Sequence, residues 1–498
     1  MDKLKTNVLY YGDNLEILRK REYFPDNSID LIYLDPPFSS KKNYNLLFKE
    51  SDYYSEAQIK AFSDTWHWGK VAEDTLQDIR LNAQLTISKL IEAMIDGIGR
   101  NDITAYLVMM TARLIELRRV LKPTGSLYLH CDPTASHYLK LILDQIFGAV
   151  NFQNEIIWYY RGAGVSPKRF GRRHDVIFFY TKSPNWAFYP NGVRTAYAGA
   201  IIERFKHYIG NIRDGKDFGI QTLHPEGKHP DDVWEISIVA PSAKERLGYP
   251  TQKPLALVER IIKASSKEGD AVLDPFCGCG TAIVAAHQLN RRWIGIDITH
   301  LAIRVMRKRL NDTFPRIQEG VDYTVKGEPV DLASAKALSM QKPDGRYQFQ
   351  YWALSRAGAQ PLGEKKKGAD KGIDGVISFI DGLPSKAQRA VVQVKSGHVH
   401  VKDIRELKDV ASHNAMGIFI TLEPPTREMS IEAVSAGYYH SMLYDKNYPK
   451  IQIITVEELL KGKTADMPPT RMEPFAKAPK ISKKEGKQIS MSERGEVK

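Results

Sequence analysis

The length, composition and charge of the chain narrow the classes of protein to which it can belong. Its 498 residues are 43% hydrophobic and 26% charged, which gives room for about two or three domains with their own cores and excludes a disordered or fibrous protein. Lys and Arg outnumber Asp and Glu by 71 to 59, and this excess favours an anionic polymer such as nucleic acid as the partner. Three cysteines, no apolar leader and no long apolar run predict a cytoplasmic protein that does not enter a membrane.

Residues 1–330 alternate short β-branched runs with longer helical patterns, which predicts an α/β domain with a parallel sheet covered by helices. The clearest predicted strands are residues 28–35, 125–132, 175–181, 271–274 and 292–297. Apolar residues at helical spacing predict a helix over 103–120. His174 and Asp175, at the start of one strand, are interpreted as structural. Residues 182–246 have many aromatic, Gly, Pro, His and Arg residues without a sustained period, so an irregular insert is predicted there.

The helix and strand pattern restarts after Val330. A helix at 347–358, strands around the sequences GVISFI and AVVQVK, and a helix near 401–411 predict a second, smaller α/β domain over 345–462. Residues 464–498 are rich in Lys, Pro and Ser, and this composition predicts a disordered basic tail.

The sequence Asp35-Pro36-Pro37-Phe38 follows an apolar strand, at the kind of strand end where α/β sheets carry ligands. Consecutive prolines fix the backbone and remove N–H donors, so the Asp35 carboxylate and the Pro36 carbonyl form a rigid pair of acceptors. Such a pair suits an exocyclic NH₂ group, and Phe38 offers a face for stacking a base. The alternative interpretation is a simple turn with a packed Phe.

A glycine-rich loop follows another predicted strand and opens a helix. Gly278 and Gly280 allow a ligand to approach the backbone at a helix N-terminus, and Asp297 ends the next strand, where an acid can bind ribose hydroxyls. This pattern indicates an adenosine-type cofactor, either a dinucleotide or S-adenosylmethionine, although the GxGxxG sequence of dinucleotide sites is missing. Cys277 and Cys279 are interpreted as small packing residues, since no second cysteine pair completes a metal site.

Four sequence blocks together resemble the amino-group DNA methyltransferases in their permuted order, the β class. The blocks are GDNLEIL (12–18), LDPPFSSKKNY (34–44), YPTQKP (249–254) and LDPFCGCGT (273–281), and the resemblance covers about residues 6–310. It implies a Rossmann-like domain, S-adenosylmethionine as cofactor, double-stranded DNA as partner and residues 182–246 as the target-recognition region. The cofactor-binding residues that it implies are Asp13, Thr251, Lys253, Asp274, Phe276, Gly278, Gly280 and Asp297.

The resemblance also implies a mechanism. A target base rotated out of the duplex would stack on Phe38, and its amino group would donate to Asp35 and the Pro36 carbonyl before attacking the sulfonium methyl. Asp at the first position of this motif usually accompanies adenine N6, and Ser there is common for cytosine N4. The sequence therefore favours adenine and leaves cytosine open. An RNA or protein amino-methyltransferase, which typically has NPPY, is a more distant alternative.

In the second domain, Asp374, Gln393 and Lys395 could place a carboxylate, an amide oxygen and an ammonium around one point, an arrangement able to hold Mg²⁺ for phosphodiester cleavage. Residues 345–460 resemble the Mrr-like branch of restriction endonucleases, which implies a restriction-endonuclease-like fold with Asp374 and Gln393 as metal ligands and Lys395 as the catalytic lysine. Gln393 stands where most such nucleases have Glu, and Gln350 where an acid is frequent. The alternative is a second domain that binds DNA or senses methylation without cleaving.

Overall fold

A computed structural model of the chain describes residues 4–36, 68–162, 168, 170–206, 210–214, 216–220, 222–240, 242–247, 249, 252–341, 345–361, 372–381 and 386–469. Pro37 and Phe38 of the predicted base-binding loop, and Thr251 of the predicted cofactor block, lie outside the described residues. In the described part of the chain, no helix is long and apolar enough to span a membrane.

The first unit is built on a nine-stranded sheet. The strands of this unit are β1 (Val8–Tyr11), β2 (Ile29–Leu34), β3 (Leu121–Cys131), β4 (Phe152–Tyr159), β5 (His174–Thr181), β6 (Gly210–Arg213), β7 (Lys216–Ile220), β8 (Val233–Glu235), β9 (Ala271–Asp274), β10 (Arg292–Asp297) and β11 (Thr324–Lys326). The sheet order is β11-β1-β10-β9-β2-β3-β5-β4-β8, while β6 and β7 form a separate hairpin. Neighbours from β11 to β3 run parallel, and β5 lies antiparallel to β3 and β4. The predicted α/β class is confirmed.

Helices connect these strands. They are α1 (Asn14–Arg19), α2 (Lys70–Asn82), α3 (Leu85–Ile98), α4 (Asp102–Val120), α5 (Ser136–Phe147), α6 (Gly199–Arg204), α7 (Leu255–Ser265), α8 (Thr281–Gln288) and α9 (His300–Thr313). The predicted helix over 103–120 corresponds to α4. It begins at Asp102 because the Asn101 side chain accepts hydrogen bonds from the backbone N–H groups of Ile103 and Thr104, which satisfies donors that lack a partner inside the helix.

Strand β2 shows how the sequence places a candidate site residue. Its residues IDLIYL are apolar without alternation, as expected for a strand covered on both faces, and all except Asp30 are buried. Asp30 is held by Lys122 Nζ at 2.7 Å and by the Ala271 backbone N–H at 2.9 Å. These two contacts hold the strand in place, and Asp35 follows directly after its last residue.

The predicted irregular insert at 182–246 contains regular elements: the helix α6, the hairpin of β6 and β7, and the strand β8. Its residues Val233–Glu235 form β8, which pairs in parallel with β4 and gives the main sheet one of its edges. Trp234 is buried, and its indole N–H donates to the Asp231 carbonyl at 2.8 Å. Three residues are too few to show a period, so the sequence pattern could not reveal this strand.

The second unit contains a five-stranded sheet and a small hairpin. Its strands are β12 (Gln360–Pro361), β13 (Gly375–Asp381), β14 (Lys386–Lys395), β15 (Met416–Thr421), β16 (Tyr438–Ser441), β17 (Lys446–Pro449) and β18 (Ile451–Thr455). Its helices are α10 (Leu332–Met340), α11 (Gly345–Arg356), α12 (Val401–Ser412), α13 (Arg427–Val434) and α14 (Val456–Leu460). The sheet order is β12-β13-β14-β15-β18, antiparallel through β14 and parallel beyond it.

The predicted disordered tail begins too early at residue 464. Ala465 and Met467 pack against the hydrophobic core, and the backbone N–H and carbonyl of Asp466 both hydrogen bond to the Gln452 side chain, at 2.8 and 2.7 Å. Residues 470–498 of the predicted tail lie outside the described residues.

The two units share a packed junction. Helix α11 of the second unit packs on α9 of the first, and its buried residues join the same hydrophobic cluster as those of the main sheet. Inside this junction the Tyr11 hydroxyl donates a buried hydrogen bond to Gln348 Oε1 at 3.1 Å. Since Tyr11 ends β1 two residues before Asp13, the junction lies close to the predicted cofactor residues.

Candidate active site

Acidic side chains gather at one edge of the main sheet. Strands β1, β10, β9 and β2 are parallel neighbours, and each is followed or ended by an acid: Asp13, Asp297, Asp274 and Asp35. Carboxyl ends of parallel strands share one edge of a sheet, so four residues that are distant in sequence meet there.

The predicted cofactor loop after β9 is held in a defined shape. The Gly278 backbone N–H donates to Asp297 Oδ2 at 3.0 Å, and the Phe276 N–H donates to Asp274 Oδ1, also at 3.0 Å. Gly278 and Gly280 both have positive φ angles, +48° and +76°, a conformation that glycine adopts without strain. A Cβ atom on Gly280 would lie 2.7 Å from Met306 Cγ. The loop therefore requires these glycines for backbone geometry, and Gly280 also for space.

Arg309 supports the loop from behind. This buried guanidinium donates from Nη1 to the Cys279 carbonyl and to the Thr281 hydroxyl, each at 3.0 Å. Cys277 and Cys279 are buried free thiols, which agrees with their interpretation as packing residues.

Two cavities flank the Phe276 ring. The larger has a volume of about 370 Å³, and its lining includes Asp35, Lys253, Asp274 and Gly278. The smaller, of about 190 Å³, is lined by Gly12, Asp13, Asn14, Pro275, Phe276, Asp297 and Ile298. The predicted catalytic Asp35 and the glycine loop thus face one cavity, and the two acids predicted to bind the nucleoside face the other.

The two acids of the smaller cavity also have structural partners. Asp297 accepts from the Thr299 hydroxyl and backbone N–H, each at 2.8 Å, as well as from Gly278, and burial raises its pKa. Asp13 caps α1 by accepting from the backbone N–H of Leu15, and its other oxygen lies 2.7 Å from Arg113 Nη2. These bonds fix the direction in which each carboxylate faces the cavity.

The protonation of Asp274 depends on the charges in and around the larger cavity. Burial, together with the nearby charges of Asp35 and Asp297, raises the pKa of Asp274 well above its usual range. A cationic group that entered the cavity would favour the ionised carboxylate, so ligand charge and the protonation of Asp274 are linked.

Lys253, predicted to bind the cofactor, lines the same cavity as Gly278 and also contacts the predicted catalytic Asp35. Its ammonium lies 2.5 Å from Asp35 Oδ2, and both side chains are 16% exposed. An N–H donor therefore already occupies one oxygen of the predicted base-binding carboxylate.

The sequence interpretation missed a group of polar residues behind Asp35. His130 on β3 is fully buried, and its Nε2 lies 3.1 Å from Asp175 Oδ2. The Tyr160 hydroxyl donates to the other oxygen of Asp175 at 3.4 Å, and the Tyr33 hydroxyl lies 3.4 Å from His130 Nδ1. One signal could have revealed His130: it is a polar residue within an otherwise apolar predicted strand that neighbours β2.

The predicted metal cluster of the second unit is only partly assembled. Asp374 Oδ2 accepts from the Val394 backbone N–H at 2.7 Å, and Lys395 Nζ lies 3.2 Å from Asp403 Oδ1. Gln393 is 3% exposed, and no described residue hydrogen bonds to its Oε1. Across the described ranges, no group of three or more His, Cys, Asp or Glu side chains is arranged to hold a metal ion. These contacts do not support the predicted magnesium site.

Two family models match the chain. Residues 29–308 match a family described as DNA methylase. Residues 347–461 match a family described as NACHT-associated inactive Restriction Endonuclease 1. The second description names an inactive restriction endonuclease, so the predicted nuclease activity lacks support, and the match does not confirm the predicted Mrr-like type of the domain.

Three curated relatives are similar to this chain over most of their own length. The chain is 31% identical over 308 residues to Type II methyltransferase M.HpaI of Haemophilus parainfluenzae, covering 62% of this chain and 76% of that protein. It is 26% identical over 342 residues to Type II methyltransferase M.BglII of Bacillus subtilis, covering 66% and 77%. It is 28% identical over 344 residues to DNA adenine methyltransferase YhdJ of Escherichia coli (strain K12), covering 68% and 95%.

Proposed function

The chain belongs to the DNA methylase family, and we propose that it transfers the methyl group of S-adenosylmethionine to the N6 amino group of adenine in double-stranded DNA. One observation carries this proposal: the Asp35 carboxylate and the glycine loop around Gly278 line the same cavity. An acceptor for an amino group therefore lies beside the loop that would hold the methyl donor.

The two cavities fit the two halves of the cofactor. Carboxylates of Asp13 and Asp297 in the smaller cavity suit the amino and hydroxyl donors of adenosine. In the larger cavity, the loop that opens α8 offers backbone N–H groups at a helix N-terminus, which suit the carboxylate of the methionine end. When bound, S-adenosylmethionine supplies an electrophilic methyl group on a positively charged sulfur.

The protein's contribution to the reaction would be positioning and electrostatics. The flipped base would donate hydrogen bonds from its amino group to Asp35 and to the Pro36 carbonyl, which concentrates the nitrogen lone pair for attack on the methyl carbon. A nitrogen–carbon bond forms as the sulfur–carbon bond breaks, and one amino proton leaves. The ionised side chain of Lys253 occupies Asp35 when no base is present, so the incoming amino group would replace it or share the carboxylate.

Cytosine N4 is the second candidate target, because it is also an exocyclic amino group. Asp at position 35 and the relative named as a DNA adenine methyltransferase favour adenine. The test is to methylate unmodified DNA with labelled S-adenosylmethionine, digest it to nucleosides and separate them. Label in N6-methyladenosine supports the proposal, whereas label only in N4-methylcytosine would transfer it to cytosine. Asp445→Asn, at a carboxylate that is 96% exposed, serves as the matched control for substitutions of Asp35.

For the second unit, we propose that it does not cleave DNA. The amide of Gln393 stands where a metal-binding acid would be needed, Lys395 is paired with Asp403, and the matching family is described as inactive. The full chain should therefore leave plasmid DNA intact in the presence of Mg²⁺, whether or not the DNA is methylated. Cleavage that disappears in Asp374→Ala would instead establish the nuclease and its metal ligand.

A further inference from the structure

His130 lies directly behind the proposed catalytic carboxylate. Leu129 on β3 pairs with Leu34 on β2, so the residues that follow each of them, His130 and Asp35, are neighbours. The distance from His130 Nδ1 to Asp35 Oδ1 is 4.0 Å. The Trp158 ring meets the imidazole edge-on at a centroid distance of 5.3 Å, which fixes the plane of the histidine ring.

The opposite ring nitrogen of His130 has a charged partner. Nε2 lies 3.1 Å from Asp175 Oδ2, and a carboxylate can only accept, so the hydrogen is assigned to Nε2. Burial alone would raise the pKa of Asp175, but the hydrogen bond from His130 and the charge of the nearby Lys253 hold it below its usual range. Nδ1 is then the acceptor nitrogen: it accepts from the Tyr33 hydroxyl at 3.4 Å and faces Asp35 at 4.0 Å.

The two oxygens of Asp35 have different surroundings. Oδ2 is bound by the Lys253 ammonium at 2.5 Å, whereas Oδ1 is the oxygen that faces His130. A proton placed on Oδ1 would therefore have a nitrogen acceptor within the distance that a small side-chain movement can close.

We propose that the His130–Asp175 pair receives, through Asp35, the proton that the target amino group loses. This proposal rests on the amino-methyl transfer proposed above. As the nitrogen–carbon bond forms and the sulfur keeps the electron pair of the broken bond, one amino proton passes to Asp35 Oδ1 and then to His130 Nδ1. The resulting imidazolium is stabilised by Asp175, and the Asp35 carboxylate is restored for the next turnover. His130 acts through Asp35 and is a positioning residue in this scheme.

Asp175 also provides the route by which the proton reaches solvent. Its side chain is 24% exposed while that of His130 is fully buried, so the proton can reach solvent at the Asp175 end of the pair. The titratable groups that surround the imidazole come from several elements: Tyr33 and Asp35 at β2, Asp175 on β5, Tyr160 after β4, Lys253 before α7 and Asp274 on β9. The carboxylates of Asp35 and Asp175 lie within 4.0 Å of the ring nitrogens, which favours a transient imidazolium.

The experiment compares full-length His130→Gln and Asp175→Asn with the wild type and with His287→Gln. His287 is a matched control, because its ring is half-buried near the end of α8 and accepts from the Trp293 indole at 3.2 Å, away from Asp35. Single-turnover methylation of a duplex oligonucleotide is measured from about pH 5.5 to 9, a window that brackets the ordinary histidine pKa. Cofactor and DNA affinities and the melting temperature are measured in parallel.

We expect both site variants to lose about a hundredfold in rate at pH 7, with cofactor and DNA affinities close to those of the wild type. The pH dependence of the rate should change shape in His130→Gln, and imidazole added to His130→Gly should restore part of the rate. The His287→Gln control should keep the wild-type pH profile.

A His130→Gln profile of the same shape as the wild type, merely lowered, would overturn the proton role. If that variant does not fold, Asp175→Asn decides in the same way, because its partly exposed side chain can be replaced with little loss of packing. Failure of the proposed methyl transfer is a separate outcome, since the wild type itself would then label no DNA base.

Discussion

The two units carry the same kinds of residue at their predicted sites, but the structure uses them differently. In the first unit, acids that follow parallel strands face two cavities across Phe276. In the second, Asp374 accepts from a backbone N–H and Lys395 pairs with Asp403, contacts of a kind also found in the first unit, but neither residue lines those two cavities. Active sites need polar groups that converge on a space where a ligand can bind. The residues of a motif can therefore act on a ligand only where they line a cavity. The predicted site of the first unit meets this condition at the two cavities described above.

The largest expected effect is the loss of methyl transfer in Asp35→Ala. Removing the carboxylate takes away the acceptor of the amino group, and we expect the single-turnover rate to fall about a thousandfold. Cofactor affinity should change far less than the rate, since Asp35 is assigned to the base and not to the cofactor. Radiolabel transfer and equilibrium binding of the cofactor measure the two quantities.

Asp374→Ala is the counterpart of this variant in the second unit. It should methylate DNA at the wild-type rate. Equal loss of cofactor binding and methylation in Asp35→Ala, or a large loss of methylation in Asp374→Ala, would contradict the separation of the two sites.

A smaller effect is expected from Gly280→Ala, which tests the shape of the cofactor loop. The added Cβ would lie 2.7 Å from Met306 Cγ at a φ of +76°, so the loop must shift. We expect the dissociation constant for S-adenosylmethionine to rise at least about tenfold, corresponding to about 1.4 kcal/mol.

The control for Gly280→Ala is Gly320→Ala. Gly320 also has a positive φ, +87°, but a Cβ there meets nothing within 4 Å. It should lose about 1 kcal/mol of stability from backbone strain with unchanged cofactor affinity. Similar affinity losses in both variants would show that strain alone, and not the loop, is responsible.

Gln393→Glu tests whether a carboxylate at position 393 is all that the second unit lacks for binding a divalent cation. A buried charge at this position, which is 3% exposed, should lower stability by about 1–3 kcal/mol in the presence of a chelator. If Asp374 and the new carboxylate bind a divalent cation together, Mn²⁺ should recover part of the melting temperature. Wild-type melting should not respond to Mn²⁺. A wild-type shift equal to that of Gln393→Glu would instead indicate an existing metal site.

The sequence predicts the strands of the sheet far better than it predicts which side chains contact one another. The apolar runs of β2, β9 and β10 locate the acids at their ends, because strand direction and sheet edge follow from an alternating α/β pattern. Strand β8 could not be predicted, since it is short and depends on pairing with β4. Lys253 and His130 illustrate the other limit: both contact Asp35 across about a hundred residues or more of sequence, and no local pattern encodes such contacts.

The smallest effect that we predict concerns the junction of the two units. Tyr11→Phe removes the hydrogen bond to Gln348 Oε1 and leaves a buried acceptor unsatisfied, so the free energy of unfolding should fall by about 1–2 kcal/mol. Tyr10→Phe is the matched control, because no described residue hydrogen bonds to its buried hydroxyl, and we expect little change. A double-mutant cycle of Tyr11→Phe and Gln348→Met, measured by denaturant unfolding, should give a coupling energy of about 1 kcal/mol. If that cycle also couples in cofactor affinity, the second unit influences the nucleoside cavity through β1; no coupling in stability would mean that this hydrogen bond does not link the two units.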